Sequence, residues 1–446
     1  MSNHYSVPTS KIDDLVTALS GLEGFMCLVD AENSRRRYSA LPDRHWHLPA
    51  DGPGFQQSME AIHQDHTRIA GADRTGFVAG SLFYDAGCHT VPGFHSTKPI
   101  PATVGWAGLY LWRLDVPGGS AGETAAGPGV LTFDPACPKA VRKRILALLD
   151  KRPTGVPRSF RITQPFQATV TPAEYREGVA RVLEYIRAGD CYQANLSQQF
   201  TGRYSGAPWP AWLALMRAIP VPYGGYLDTG NWQLLSVSPE LFVEIKNGNV
   251  ISKPIKGTRP RSDDPRQDQA LIQDLMEHPK DRAENLMIVD LIRNDLSRFC
   301  EAFSVKVPGL FQVESYRNVH QLVSTVTGRL KVGVSPLDAL ISAFPGGSIT
   351  GAPKRRAMEI IDELEPHQRG PYCGSLFWWD ADGHLTSNIA IRSLQTFSDG
   401  TIRAWAGCGI VADSDPDDEY QESISKIQRL LDTLENLDAA TDDAGG

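Results

Sequence analysis

The sequence offers no pair of cysteines at metal-binding spacing. Its seven cysteines (Cys27, Cys88, Cys137, Cys191, Cys300, Cys373, Cys408) are scattered, odd in number and nowhere arranged as CxxC. A disulfide framework or a thiolate zinc site is therefore not expected, and a reducing compartment is. An excess of basic residues is missing too: 44 Lys and Arg stand against 52 Asp and Glu, a net charge of −8. Nucleic-acid binding and attachment to an acidic membrane surface both rest on clustered cations, so neither partner is expected. No apolar run reaches membrane-spanning length, and the opening "MSNHYSVPTSKIDD" lacks the basic-then-apolar layout of a signal peptide. A cytoplasmic protein is expected, and no repeat of fixed period marks a solenoid.

What is there is ordinary globular material, 446 residues of which 41% are hydrophobic and 22% charged. That length suits two or three domains or one large composite body. Glycine, proline and short apolar stretches dominate the first part, where "TGFVAGSLFYDAG" and "VGWAGLYLWRLDV" read as strands broken by tight turns. Residues 116–129 read as a surface loop, and near Pro153–Pro157 the character changes to clear helices. "TPAEYREGVARVLEYIRAGD" has Thr171 for an N-cap, Glu174 to complete a capping box, and a stripe of Tyr175, Val179, Val182, Leu183 and Ile186. Strand patterns recur at "CYQANLSQQFTGRY", 232–245, 374–380, 385–397 and 401–412, and a last helix begins at Asp415-Pro416. "DAATDDAGG" reads as a disordered tail.

Several residues carry chemistry. In "KPIKGTRPR" Lys256 sits at the end of an apparent buried strand, either as one more cation of a basic loop or as a desolvated nucleophile. Glu284 falls on a helix face with Met287, Ile288 and Leu291, where an unpaired carboxylate is costly. Glu419 and Glu422 lie one turn apart with Lys426 a turn further on. That pattern reads as a solvated acidic face with a salt bridge, or as carboxylates for Mg²⁺ shared with Glu284. Glu240 follows Ser-Pro at a kink in an apolar strand, where a desolvated carboxyl with a raised pKa would suit an acid.

"FPGGSITGAPKRRAMEII" is a glycine-rich turn opening into a helix, an anion site or simply a tight turn. A P-loop fails on register, because Ala352 follows Gly351 where Lys is required, so nucleotide binding is disfavoured. Gly407 and Gly409 form a second pair just before the acidic helix, small enough for backbone amides to approach a ligand. Arg392 and Arg403 lie on neighbouring strand patterns, and either suits a carboxylate. Tyr372 and His320, taken singly, read as readily as core residues as site residues. Together these types describe a pocket for a small dicarboxylate.

"PIKGTRPR", "ENLMIVDLIRNDL", "VHQLVSTVTG", "FPGGSITGAPK" and "GCGIVADSDPDDEYQE", in that order, closely resemble the chorismate-utilising enzymes. These include anthranilate, aminodeoxychorismate, isochorismate and salicylate synthases. The resemblance is strong over about residues 160–435. It is looser before that, resting on "RYSALP" and "GSLFYDAG". It implies an α/β (α+β) fold, two facing β-sheets with helices outside. It also implies an N-terminal region over 1–155, a chorismate-binding catalytic region over 156–436 and a tail over 437–446. Where anthranilate synthases read PIAGT this chain has Lys256, a mark of the aminodeoxychorismate synthases. Where isochorismate-type enzymes carry a water-activating lysine it has Gln193, as in the amine-adding branch.

The resemblance therefore implies amination of chorismate at C4, the step toward p-aminobenzoate and folate. A neutral Lys256 would add at C2, and Glu240 would assist departure of the hydroxyl. Glu284, Glu419 and Glu422 match the Mg²⁺ carboxylates of the family. Gly257, Thr350, Gly351 and Gly409 match ring-carboxylate and backbone-amide positions, and Thr258, Gly407 and Gln193 are expected with them among the substrate-binding residues. Tyr372 and Arg392 match the holders of the enolpyruvyl carboxylate, Lys426 a lysine near the metal helix, and His320 the active-site histidine. Cys408 departs from the usual alanine of the glycine–alanine–glycine turn, and no counterpart of an N-terminal feedback-inhibitor motif is evident. Nothing resembles a glutamine amidotransferase, so ammonia is expected from a separate glutaminase subunit. Rival expectations are an anthranilate synthase component I and a non-catalytic dicarboxylate-binding subunit. All the acidic positions and Lys256 are in place, which speaks against the latter.

Overall fold

The computed structural model describes residues 3–30, 34–71, 73–118, 125–149, 159–316 and 319–437. The change of character expected near 153–157, residues 119–124 of the expected 116–129 loop, and residues 438–446 of the expected tail lie outside the described residues.

Strand pairing is antiparallel throughout the described residues and builds two large sheets, one of twelve strands and one of ten. Both draw on the first part of the chain and on the rest. Gly225–Asp228 pairs with Met26–Asp30 in the larger sheet, and Ser375–Asp380 pairs with Phe77–Leu82 in the smaller. The two sheets face each other. Met26, Leu28, Leu227 and Leu234 from one pack in a single buried cluster with Phe77, Trp106, Tyr110 and Trp378 from the other. Each such side chain contributes about 1.5–3 kcal/mol when fully withdrawn from water.

Two segments that read in the sequence as continuous strands break and cross between the sheets. Trp232–Ser236 belongs to the larger sheet and Leu241–Lys246 to the smaller. Likewise Leu385–Asn388 lies in the smaller and Ser393–Phe397 in the larger. The crossings run side by side: Val237 N donates to Arg392 O over 3.0 Å, and Ile389 N to Glu240 O over 3.1 Å. The first strand ends at Ser236, and Pro239, within the crossing, has no N–H to give a ladder. Glu240 and Arg392 are thus both carried on the corners where the chain changes sheet.

Helices lie outside. Pro172–Arg187 has the full capping box of Thr171 and Glu174, with Tyr175, Val179, Val182 and Leu183 buried. The C-terminal helix Pro416–Glu435 starts from Asp415, whose carboxylate accepts from Asp417 N and Asp418 N. On the helix Pro279–Ser297 the buried stripe runs Asn285, Ile288, Val289, Ile292 and Leu296. Glu284 lies at its edge rather than within it, half-buried. The glycine-rich turn differs from its sequence reading. Gly347–Ile349 is a 3-10 turn, Gly351–Ala352 is a short strand against Gln193–Ala194, and the helix begins only at Lys354. Among the described residues no helix is long and apolar enough to cross a membrane.

Candidate active site

A cavity of about 490 Å³ opens where the two crossing corners meet the Glu284 helix and the C-terminal helix. Lys256 enters it from the strand Ile255–Pro260, which pairs with Val319–Arg329 through a register shift between Ile255 and Thr258. Such a bulge re-aims side chains. Gly257, at φ +87°, makes the bulge, since a Cβ there would stand 2.9 Å from Leu275 Cδ1 and Asp281 Cγ. Lys256, Gly257 and Thr258 consequently line the cavity. The Lys256 Nζ reaches across from the smaller sheet to within 3.5 Å of the place a Cβ on Gly409 of the larger sheet would occupy.

Glu240 lines the same cavity and is only 5% exposed. Burial pushes its carboxyl up to about 7, against the opposing pull of a hydrogen bond from Ser348 and the charge of Lys256. Ser348 Oγ donates to Glu240 Oε1 over 2.8 Å. A carboxyl balanced near neutrality beside a lysine has the protonation range of a general acid.

Three further carboxylates form the opposite wall. Glu419 is buried, accepts from Ser414 Oγ at 2.6 Å, and has Lys280 Nζ at 3.7 Å. Glu422, half exposed, pairs with Lys426 Nζ at 2.6 Å. Burial opposes its charge, but Lys426 overrides that and holds it below the usual carboxylate range. Burial raises Glu284, with Glu422 and Glu419 adding to the shift and Lys256 and Lys280 opposing it. Lys426 is raised: burial works against its charge, and Cys408, Glu422 and Glu419 outweigh it.

Donor atoms of Cys408, Glu419 and Glu422 lie within 4.8 Å of one another. The Cys408 thiol, however, is pushed by burial up to about 12 and donates to Glu419 O, so oxygen donors dominate. Clustered carboxylate oxygens fit a hard divalent cation such as Mg²⁺. Glu284 stands outside that tight group, on the same cavity wall.

Arg392, at φ +50° on its corner, faces the cavity. Burial and the charge of Arg429 both lower it, and among the described residues no carboxylate pairs with it. Tyr372 lies beside it in the wall, stacked on Trp405 with centroids 6.1 Å apart. Gly407 and Gly409 complete that side with Lys426.

Other sequence candidates stand behind the wall. His320 turns away: its ring is held by Asp268 Oδ1 at 2.9 Å and Ser315 Oγ at 2.7 Å. Alternation along the strand puts the next residue, Gln321, in the cavity instead. The Thr350 hydroxyl donates to Gly346 O. Gly351 backs onto Gln193, whose carbonyl would be 2.1 Å from a Cβ. Gln193 itself is 1% exposed, with both amide atoms unpartnered among the described residues, and its Nε2 abuts Gly409. Arg403 lies over the Phe397 ring, away from the cavity. Sequence reasoning missed Ser348, Gln321, Lys280 and Trp405, all of which line the cavity. The signals available were Ser348 inside the glycine-rich motif and the two-residue period at Gln321.

Residues 26–432 match the family of the chorismate binding enzymes. This chain belongs to that family. Among its relatives is the aminodeoxychorismate synthase component 1 of Klebsiella aerogenes, 47% identical over 291 residues, 65% of this chain and 64% of that one. The enzyme of the same name from Salmonella typhimurium is 48% identical over 286 residues, 64% and 62% of the two chains. Anthranilate synthase component 1 of Thermus thermophilus is 43% identical over 274 residues, 61% and 59%. The chain thus spans less than two thirds of the length of the relatives it matches. Anthranilate synthase component I from Streptococcus pneumoniae has a similar structure, with a TM-score of 0.70 at 26% identity over 96% of this chain and 92% of that one. The menaquinone-specific isochorismate synthase of Escherichia coli, at 18% identity over 97% and 94%, shares the fold with a TM-score of 0.74.

Proposed function

We propose that this family member is an aminodeoxychorismate synthase component I, converting chorismate and ammonia to 4-amino-4-deoxychorismate. The observation that carries the reading is the pairing in one cavity of Lys256 with Glu240, whose carboxyl is raised to about 7. The Lys256 amine, when neutral, attacks C2, the two ring double bonds shift, and the C4 hydroxyl leaves with the Glu240 proton as water. Ammonia then attacks C4, the double bonds shift back, and the C2–N bond to Lys256 breaks. The proton released by the incoming nitrogen restores Glu240.

Tyr372 and the unpaired Arg392 suit the enolpyruvyl carboxylate, and the backbone around Gly407 and Gly409 suits the ring carboxylate. Glu284, Glu419 and Glu422 would hold Mg²⁺, which when bound neutralises carboxylate charge and polarises the nearby oxygen. Lys280 and Lys426 now balance Glu419 and Glu422. A partner of the glutamine amidotransferase type supplies the ammonia, a reading supported by the words "component 1" in the relatives' names. The compartment is the cytoplasm.

The test is a product assay of the purified chain with chorismate, Mg²⁺ and ammonium, wild type beside Lys256→Ala. Aminodeoxychorismate from wild type and a loss of about 10²-fold or more in the variant support the reading. Anthranilate or isochorismate as the product overturns it.

A further inference from the structure

A second cavity, about 180 Å³, adjoins the first and shares with it Pro239, Gln321, Arg392, Ser425 and Lys426. Its outer wall is apolar, with Ile219, Val221, Val319 and Leu430 beside two prolines. The charged side chains lining it are Arg392, Lys426 and Arg429, and among the described residues no carboxylate does. At the junction stands Gln321, 2% exposed, whose Oε1 is buried with no hydrogen-bond partner among the described residues. A buried amide oxygen left unpaired costs about 1–3 kcal/mol unless a donor reaches it.

The geometry points to a ligand here that donates hydrogen bonds and carries no positive charge. Carboxylates accept rather than donate and cannot satisfy Gln321 Oε1. Ammonium is repelled by Arg392 and Arg429, which pair with no carboxylate among the described residues, while Lys426 is already balanced by Glu422. Neutral ammonia has N–H groups to give and no charge to lose on entering an apolar passage. We propose that the second cavity is the route by which ammonia reaches the substrate, and that Gln321 is a positioning residue that receives it through Oε1. This rests on the amination reading above.

The experiment uses the full chain with Mg²⁺, chorismate and ammonium chloride, comparing wild type with Gln321→Met and Ser425→Leu. The first removes the acceptor at nearly constant volume; the second narrows the junction from an exposed helix position. Chorismate affinity is measured separately by calorimetry without ammonium. In both variants KM for ammonia should rise by about tenfold, the scale of one lost hydrogen bond or more, with chorismate affinity held within about twofold. An unchanged KM for ammonia in both variants overturns the inference. So does a parallel loss of chorismate affinity, which would make Gln321 a substrate-binding residue. A wild type that binds chorismate yet forms no aminated product overturns the amination reading and this inference with it. A wild type that aminates leaves only the inference at stake.

Discussion

Ser348 gives its hydroxyl hydrogen to Glu240 across 2.8 Å, from the glycine-rich turn to a corner between the two sheets. Burial raises the Glu240 carboxyl to about 7, and this hydrogen bond, which favours the charged form, keeps it from rising further. Lys256 pulls the same way. The acid strength of Glu240 is therefore a balance of one unfavourable and two favourable contributions, and it can be shifted one contribution at a time.

Ser348→Ala removes the hydrogen bond and leaves burial in place. Glu240 should then hold its proton to higher pH. If Glu240 is the acid, the alkaline fall of kcat/KM moves upward by about one pH unit, since a hydrogen bond to a charged group is worth roughly 1.5 kcal/mol or more. The measurement is a pH–rate profile of both proteins at saturating ammonia. An alkaline limb that stays put, or moves downward, removes Glu240 from that role.

The same raised carboxyl has a consequence for stability that does not depend on turnover. Glu240 has a folded-state pKa of about 7 against an ordinary 4.5. Between those values the native state binds more protons than the unfolded state, so its contribution is complete below about 4.5 and is lost as pH rises through about 7. Glu240→Gln keeps the shape and removes the charge. Relative to wild type it should gain stability between pH 5 and pH 8, by up to about 3 kcal/mol at roughly 1.4 kcal/mol per unit. Urea unfolding at the two pH values reads this directly, and a difference that is flat or of opposite sign contradicts the burial argument.

The elements legible in the sequence were those whose signals are local. The helix Pro172–Arg187 carries its capping box and apolar stripe within one stretch, and Asp415 announces the C-terminal helix in the same way. Lys256 and Glu240 were legible because charge in an apolar or turn context is locally anomalous. Glu419 and Glu422, in an acidic stretch, read equally as a solvated face until the family resemblance singled them out. The crossings at Val237–Glu240 and Ile389–Arg392 were not, because nothing local says that two halves of one apolar run join different sheets. His320 and Gln321 make the same point at the scale of one residue. Adjacent strand positions face opposite sides, and which of them meets the cavity depends on pairing with Ile255–Pro260, far away in the chain.

Gly351 and Gly409 separate fold from function. At Gly351 the backbone has φ +147°, and a Cβ would stand 2.1 Å from the carbonyl oxygen of Gln193, a backbone atom that cannot step aside. At Gly409 a Cβ would meet only side-chain ends, Gln193 Nε2 at 2.7 Å and Lys256 Nζ at 3.5 Å, and these can move. Gly351→Ala should therefore cost more than about 2 kcal/mol, from strain and lost pairing with Gln193–Ala194. Gly409→Ala should stay within about 1 kcal/mol of wild type in stability yet lose about tenfold or more in kcat, because the new methyl displaces the Gln193 amide and fills the space against Lys256 Nζ, in an attack geometry sensitive to ångström shifts. Thermal unfolding and steady-state kinetics on the two variants decide the matter. Equal destabilisation would mean that the Gly409 site is as rigid as the Gly351 site, and a fully active Gly409→Ala would mean that Lys256 does not work from beside that glycine.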